Sequence, residues 1–250
     1  MGWRTSVYWL IGLVFLVVGT IWSAAEEGRA VAGDWRTASR EPVGIAPDPV
    51  TTPEPVVQVY AARAYSWRGY LGVHTWIAVK RRDADIFTVF EVIGWRGYHG
   101  LPVVAVTEKE PDRRWFGATP QILLDERGEH VETMIDDIEN AVATYPHPEE
   151  YRVWPGPNSN TFTAYVARNV AGLSLDLPPT AIGKDYLSEG IVAPTPSGSG
   201  FQVSLFGVLG VMAAVEEGVE INLLGLTFGI DPKDFALKLP GIGRLSPISN

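Results

Sequence analysis

The sequence contains no cysteine, and histidine is scarce. Without cysteine the chain has no disulfide, no thiolate metal site and no cysteine nucleophile. The four histidines include no pair at the short spacing of a helical metal-binding motif. We therefore predict neither a metal site nor a cofactor.

Basic residues are also fewer than acidic residues. The chain carries 20 Lys and Arg against 29 Asp and Glu, a net charge of −9, and the basic residues form no run. This balance excludes nucleic acid as an expected partner. A length of 250 residues with 46% apolar residues suits one domain with appendages.

The N-terminal segment, residues 1–28, contains an almost wholly apolar run from Val7 to Ala25. Its length suits a bilayer-spanning helix, and Arg4 on its N-terminal side predicts that the rest of the chain crosses the membrane. Two interpretations stay open. The small residues Ser23 to Ala25 suit a cleaved signal, whereas the length of the run favours an uncleaved transmembrane anchor.

Residues 29–55 are rich in proline and predict a linker or a strap over the domain that follows. The remainder, 56–250, is predicted to be one α+β domain in which an antiparallel sheet packs on two main helices. It includes an apolar β-hairpin over 201–230, with Glu216 to Gly218 as its turn. Lys184 and Asp185 are predicted to form a surface ion pair.

Two strands in this domain carry residues that are typical of catalytic sites. Val73–Val79 and Ile86–Ile93 alternate as strands and predict an antiparallel hairpin. If Val79 faces Ile86, His74 lies directly opposite Glu91, with both side chains on one face of the sheet.

A helix is predicted to begin near Ser159, after the restricted stretch Trp154–Pro157. Ser159 is either the helix cap or a nucleophile, because a helix N-terminus stabilises developing negative charge. In the second case His74 accepts its proton, Glu91 orients the imidazole, and Asn158 or Asn160 donates to an oxyanion. In the simpler interpretation Ser159 only caps the helix, and His74 is a half-buried strand residue.

Trp76 and Trp154 are placed in the same predicted cleft. Tryptophans are more often core residues than sugar platforms, but a cleft lined by several of them would suit a glycan or a lipid.

Several long stretches resemble an uncharacterised family of bacterial envelope proteins known as domain of unknown function 3750. The resemblance implies a fold unit without an established activity. Its stretches are 60–64, 72–78, 91–96, 154–162, 177–186 and 217–226.

The order His74, Glu91, then Asn158–Phe162 is also similar to the circularly permuted papain-like group, which includes NlpC/P60 peptidases and lecithin:retinol acyltransferases. In that group a cysteine opens the helix, whereas Ser159 stands at this position here. The resemblance implies either a serine hydrolase or a fold that has kept its shape and lost the chemistry.

These observations predict a membrane-anchored envelope protein of the bacterial inner membrane, with the bulk of the chain on the periplasmic side. Its predicted activity is hydrolysis of an amide or ester, or acyl transfer, on peptidoglycan or lipid. The alternative is a non-catalytic envelope module that binds peptidoglycan, lipid or a membrane partner through the same cleft. The predicted partners are thus the bilayer, through the N-terminal helix, and an envelope substrate.

Overall fold

The computed structural model describes residues 3–26 and 34–247 of the chain. Its first layer is a five-stranded antiparallel sheet in the order β4-β3-β2-β1-β5. The strands alternate apolar side chains between two buried faces, the pattern of a sheet that is covered on both sides. Their bounds are β1 Val56–Arg63, β2 Val73–Lys80, β3 Thr88–Val92, β4 Val104–Glu108 and β5 Gln121–Arg127.

Two helices, α2 (Val131–Ala143) and α3 (Ser159–Asn169), cover one face of this sheet, here called the helix face. The main hydrophobic core lies between these helices and the sheet and includes Ile77, Ile135 and Phe162. The α+β and antiparallel-sheet parts of the predicted fold fit the structure.

The opposite face of the sheet, here called the cavity face, is covered by irregular chain. Residues 109–120 lie over it and are held by the segment from 34 to 55. Asp112 fixes this segment, because its Oδ2 accepts hydrogen bonds from the backbone N–H of Ile45 at 2.7 Å and Ala46 at 3.3 Å. A second apolar cluster, which includes Tyr60 and Trp76, lies on this side. Within the described residues, the proline-rich stretch therefore acts as a strap.

A second, seven-stranded antiparallel sheet has the order β12-β11-β10-β9-β8-β7-β6. The predicted hairpin over 201–230 corresponds to four of these strands. The bounds are β6 Val192–Pro194, β7 Gly200–Leu205, β8 Leu209–Ala214, β9 Gly218–Leu223, β10 Leu226–Asp231, β11 Ala236–Leu239 and β12 Gly243–Leu245.

The N-terminal helix α1 runs from Trp3 to Glu26, and here the predicted fold class needs a correction. Within residues 3–26 and 34–247, no helix combines the length and the apolar character needed to cross a membrane. The predicted transmembrane helix is therefore wrong. The last turns of α1 instead contact the domain: Ser23 Oγ donates to the Ile242 carbonyl at 2.6 Å and accepts from the Arg63 guanidinium at 2.6 Å. Polar contacts of this kind tie the end of the helix to the sheets.

Candidate functional site

His74 and Glu91 meet on the cavity face through neighbouring strands. The true register pairs Trp76 with Glu91 and Val79 with Thr88, two residues away from the predicted pairing. A shift of two leaves every side chain on its expected face. His74 and Glu91 therefore still meet, now along a diagonal, with His74 Nε2 and Glu91 Oε2 separated by 3.4 Å.

A lysine completes this buried group. Lys109 Nζ donates a short hydrogen bond to the other carboxylate oxygen of Glu91. Burial by itself would raise the pKa of Glu91, but the hydrogen bond from His74 and the positive charge of Lys109 lower it to about 2. Burial lowers the pKa of His74, against the opposing effect of Glu91. Glu91 is therefore ionised at neutral pH and accepts the hydrogen bond from His74 Nε2.

The His74 imidazole is enclosed by tryptophans. Its ring stacks on Trp115 with centroids 3.6 Å apart and planes 12° apart, and it lies 5.6 Å from the ring of Trp76. Trp95 stacks on Trp115 at 5.7 Å. Because His74 is only 6% exposed, its role in this structure is to orient Glu91 and to support the indole of Trp115.

Next to this stack lies a cavity of about 190 Å³. Its walls combine aromatic rings, arginine and lysine side chains, and two carboxylates. It is lined by Arg40, Trp76, Glu91, Ile93, Trp95, Lys109, Glu110, Pro111, Arg113, Arg114, Trp115 and Phe116. In the described part of the chain, no group of three or more His, Asp or Glu side chains is placed to hold a metal ion.

Ser159 lies on the other side of the sheet from His74. Thr75, the neighbour of His74 on β2, contacts the start of α3: its Oγ1 donates to Ser159 O at 3.4 Å and Asn160 Oδ1 at 3.0 Å. Adjacent residues of a strand point to opposite faces, so His74 points away from α3. The structure thus brings His74 and Glu91 together, but it does not bring Ser159 to either of them.

The residues around Ser159 have structural contacts. Asn158 caps α3, since its Oδ1 accepts from the backbone N–H groups of Asn160 at 2.9 Å and Thr161 at 3.2 Å. Ser159 is therefore the first residue of the helix and not its cap. Asn160 Nδ2 donates to the carbonyls of Val73 at 3.0 Å and Ile182 at 2.8 Å. Both asparagine amides are engaged, which leaves neither side chain directed at an oxyanion.

Of the two predicted cleft tryptophans, only Trp76 lies in the cavity. Trp154 is half exposed and donates from Nε1 to the Leu224 carbonyl at 2.9 Å. The sequence reasoning missed Lys109 and the arginines at 40, 113 and 114. The run from Lys109 to Phe116 could have indicated this site. After Lys109 it contains four charged residues of both signs, followed by two adjacent aromatic residues.

Comparison with known proteins identifies the family. Residues 54–186, more than half of the chain, match the family described as Protein of unknown function (DUF3750). The chain belongs to this family. The matched region contains the five-stranded sheet, α2, α3 and all the cavity residues except Arg40. No curated protein and no solved structure matches the chain, so a relation to the permuted papain-like group is not shown.

Proposed function

We propose that the protein is a non-catalytic binding module of the bacterial cell envelope, and that its cavity holds an anionic ligand bearing a sugar ring, such as an acidic unit of peptidoglycan. The observation that carries this proposal is the combination of uncompensated arginines and stacked indoles around one cavity. The envelope assignment rests on the family resemblance of the sequence.

The charges around the cavity favour an anion. Glu91 pairs with Lys109, and Glu110 pairs with Arg113 at 3.3 Å. Among the described contacts, Arg40 and Arg114 hydrogen-bond to carbonyl and hydroxyl oxygens but to no carboxylate. Two positive charges are therefore left over at this cavity, although the chain as a whole carries −9. Guanidinium groups bind carboxylates and phosphates through paired hydrogen bonds.

The aromatic walls favour a flat or ring-shaped group. Trp95 and Trp115 are stacked, and Phe116 meets both at its edge. Indole faces pack well against sugar rings, which present an apolar face of C–H groups. The cavity of about 190 Å³ is far larger than the roughly 10–15 Å³ that one water needs, so it has room for a ring-sized group.

A titration with two sugars tests the charge requirement. N-acetylmuramic acid and N-acetylglucosamine share the ring, but only the first carries a carboxylate. We expect N-acetylmuramic acid to bind about tenfold more tightly, because a charge-assisted hydrogen bond contributes roughly 1.5 kcal/mol. Tryptophan fluorescence measures both dissociation constants.

The matched variants are Arg114→Ala and Arg36→Ala. Arg114 lines the cavity, whereas Arg36 is an exposed arginine that stacks over Trp35 outside it. Arg114→Ala should abolish the preference for the acidic sugar, and Arg36→Ala should retain it. Equal affinity for both sugars, or no binding of either, would contradict the proposal.

Labelling with a fluorophosphonate probe tests the predicted hydrolase. We expect no labelling at Ser159, because His74 points away from α3 and a serine without a base is a poor nucleophile. The control is Ser159→Ala in the same assay. If the wild-type chain is labelled and the variant is not, the binding-module proposal is wrong, and the result supports Ser159 as a catalytic nucleophile.

A further inference from the structure

The seven-stranded sheet has its polar and apolar faces reversed relative to an ordinary surface sheet. Every side chain on its outward face is apolar, and this set is here called the outer face. It consists of Val192, Phe201, Val203, Leu205, Leu209, Val211, Val219, Ile221, Leu223, Phe228, Ile230, Leu237 and Leu245, all of them exposed. The strand register aligns them in rows, such as Val203, Val211, Ile221 and Phe228. The result is a continuous exposed apolar surface.

The inward face of the same sheet holds the polar residues. Glu220 lies at its centre and pairs with Lys184 at 2.5 Å and Lys238 at 2.8 Å. Asn222 Nδ2 donates to Asp185 Oδ2 at 2.8 Å. These buried contacts determine which face of the sheet points inward. If the sheet were turned over, several charged side chains would lose their partners. The outer face is thus held outward by the fold itself.

The size of the outer face suits a protein interface. The seven strands contain 34 residues in all, and at about 3.3 Å along the strand and about 4.8 Å across it for each residue they cover roughly 540 Å². Apolar patches on monomeric proteins rarely exceed this size. Two such faces in contact would bury about 1,100 Å², which is just above the roughly 1,000 Å² expected of a specific interface.

The chemistry of the outer face favours a second copy of the chain over a lipid surface. Surfaces that lie on membranes carry lysine, arginine, tryptophan or tyrosine, and none of these points outward from the described strands. The net charge of −9 also opposes contact with anionic lipid. A charge-free, rigid sheet needs no complementary charges and can pack on an identical sheet about 10 Å away.

From these observations we propose that two copies of the chain pair through their outer faces around a twofold axis, forming a β-sandwich between them. In such an arrangement each surface contacts its own equivalent.

Mass measurement on the full chain tests this pairing. Sedimentation or light scattering should give a particle of twice 27.3 kDa at micromolar concentration. Ile221→Lys places a charge at the centre of the outer face in both copies and should raise the dissociation constant at least about 100-fold. The matched control is Ile45→Lys, because Ile45 is similarly exposed, 41% against 47% for Ile221, but lies in the strap. This variant should remain a dimer.

A single-cysteine experiment checks the geometry without adding a charge. Since the chain has no cysteine of its own, Ile221→Cys provides the sole thiol. Mild oxidation should cross-link Ile221→Cys as a dimer and leave Ile45→Cys largely uncross-linked.

Three results would overturn the proposal. These are a wild-type monomer, a dimer that Ile221→Lys leaves intact, and equal cross-linking of the two cysteine variants. Binding of the wild-type monomer to phosphatidylglycerol vesicles, lost in Ile221→Lys, would assign the outer face to lipid instead.

Discussion

At the scale of single residues, Glu91 is held by two donors of different character. His74 approaches one carboxylate oxygen and Lys109 the other, and Glu91 is only 2% exposed. The imidazole and the lysine each contribute a hydrogen bond and a favourable electrostatic interaction with the carboxylate. These interactions explain how a buried carboxylate keeps its charge in an aromatic environment.

The low pKa of Glu91 predicts a specific loss of stability in acid. A group whose pKa falls from 4.5 to about 2 on folding stabilises the native state above pH 4.5, and this contribution is lost as the pH falls toward 2. At about 1.4 kcal/mol per unit, the contribution is about 3 kcal/mol. Urea unfolding from pH 5 to pH 2 should show a steeper loss in the wild type than in Glu91→Gln.

The control for this measurement is Glu110→Gln, which removes an exposed carboxylate paired with Arg113. Its pH profile should follow that of the wild type, because exposed ion pairs contribute little. Parallel profiles for the wild type and Glu91→Gln would show that Glu91 does not carry the acid sensitivity.

At the scale of elements, α3 is capped at its beginning by a single side chain. The Asn158 side chain accepts from two backbone N–H groups and donates to the carbonyls of Val153 and Ile182. The Asn158 amide thus pairs with free backbone N–H groups at the start of the helix and joins this end to two loops. At the opposite end Asn169 is exposed and its side chain makes one hydrogen bond, whereas Arg168 donates to the carbonyls of Lys184 and Pro194 and to Gln202 Oε1.

Replacing the cap should therefore be costly. Asn158→Ala leaves buried donors and acceptors without partners, and we expect a loss of about 3 kcal/mol in the free energy of unfolding. Asn169→Ala, the same change at the exposed end, should cost less than about 0.5 kcal/mol. Urea denaturation of both variants measures the difference, and similar losses would contradict this account of α3.

Local patterns were enough to predict these elements but not the faces on which they pack. The apolar residues of α2 recur at helical spacing, and the strands through Val59 and Ile77 have clear β-type sequences. However, both faces of β2 are buried, so alternation gives no indication of which face meets α3. The distance between Ser159 and His74 depends on that choice. For this reason the predicted triad had its residues on the right elements but on opposite sides of a sheet.

At the scale of the whole molecule, a buried network of charges joins the seven-stranded sheet to the loop that follows α3. Lys184 and Asp185, predicted as a surface pair, are nearly fully buried. Lys184 pairs with Glu220 of the seven-stranded sheet, Glu220 also pairs with Lys238, and Asp176 binds Lys238 at 2.7 Å. The residues next to Lys184 in the sequence do not indicate that its partner Glu220 lies so far along the chain. The burial of Lys184 therefore could not be predicted from the local sequence.

Breaking this network should destabilise the whole chain. Lys184→Met removes a buried cation and leaves Asp185 and Glu220 without it, and we expect a loss of about 3–5 kcal/mol in the free energy of unfolding. Lys233→Met, which removes an exposed lysine paired with Glu216, should change stability by less than about 1 kcal/mol. Thermal or urea unfolding compares the two variants, and equal losses would exclude a joining role for Lys184.

The reversed sheet also has a consequence for how the protein responds to cold. An association held by a surface without charges depends on the release of water from aliphatic groups, and that driving force weakens as the temperature falls. Chilled samples should thus separate into single chains more readily than samples at room temperature. Ammonium sulfate should reverse this dissociation, and sodium chloride at moderate concentration should have little influence on it.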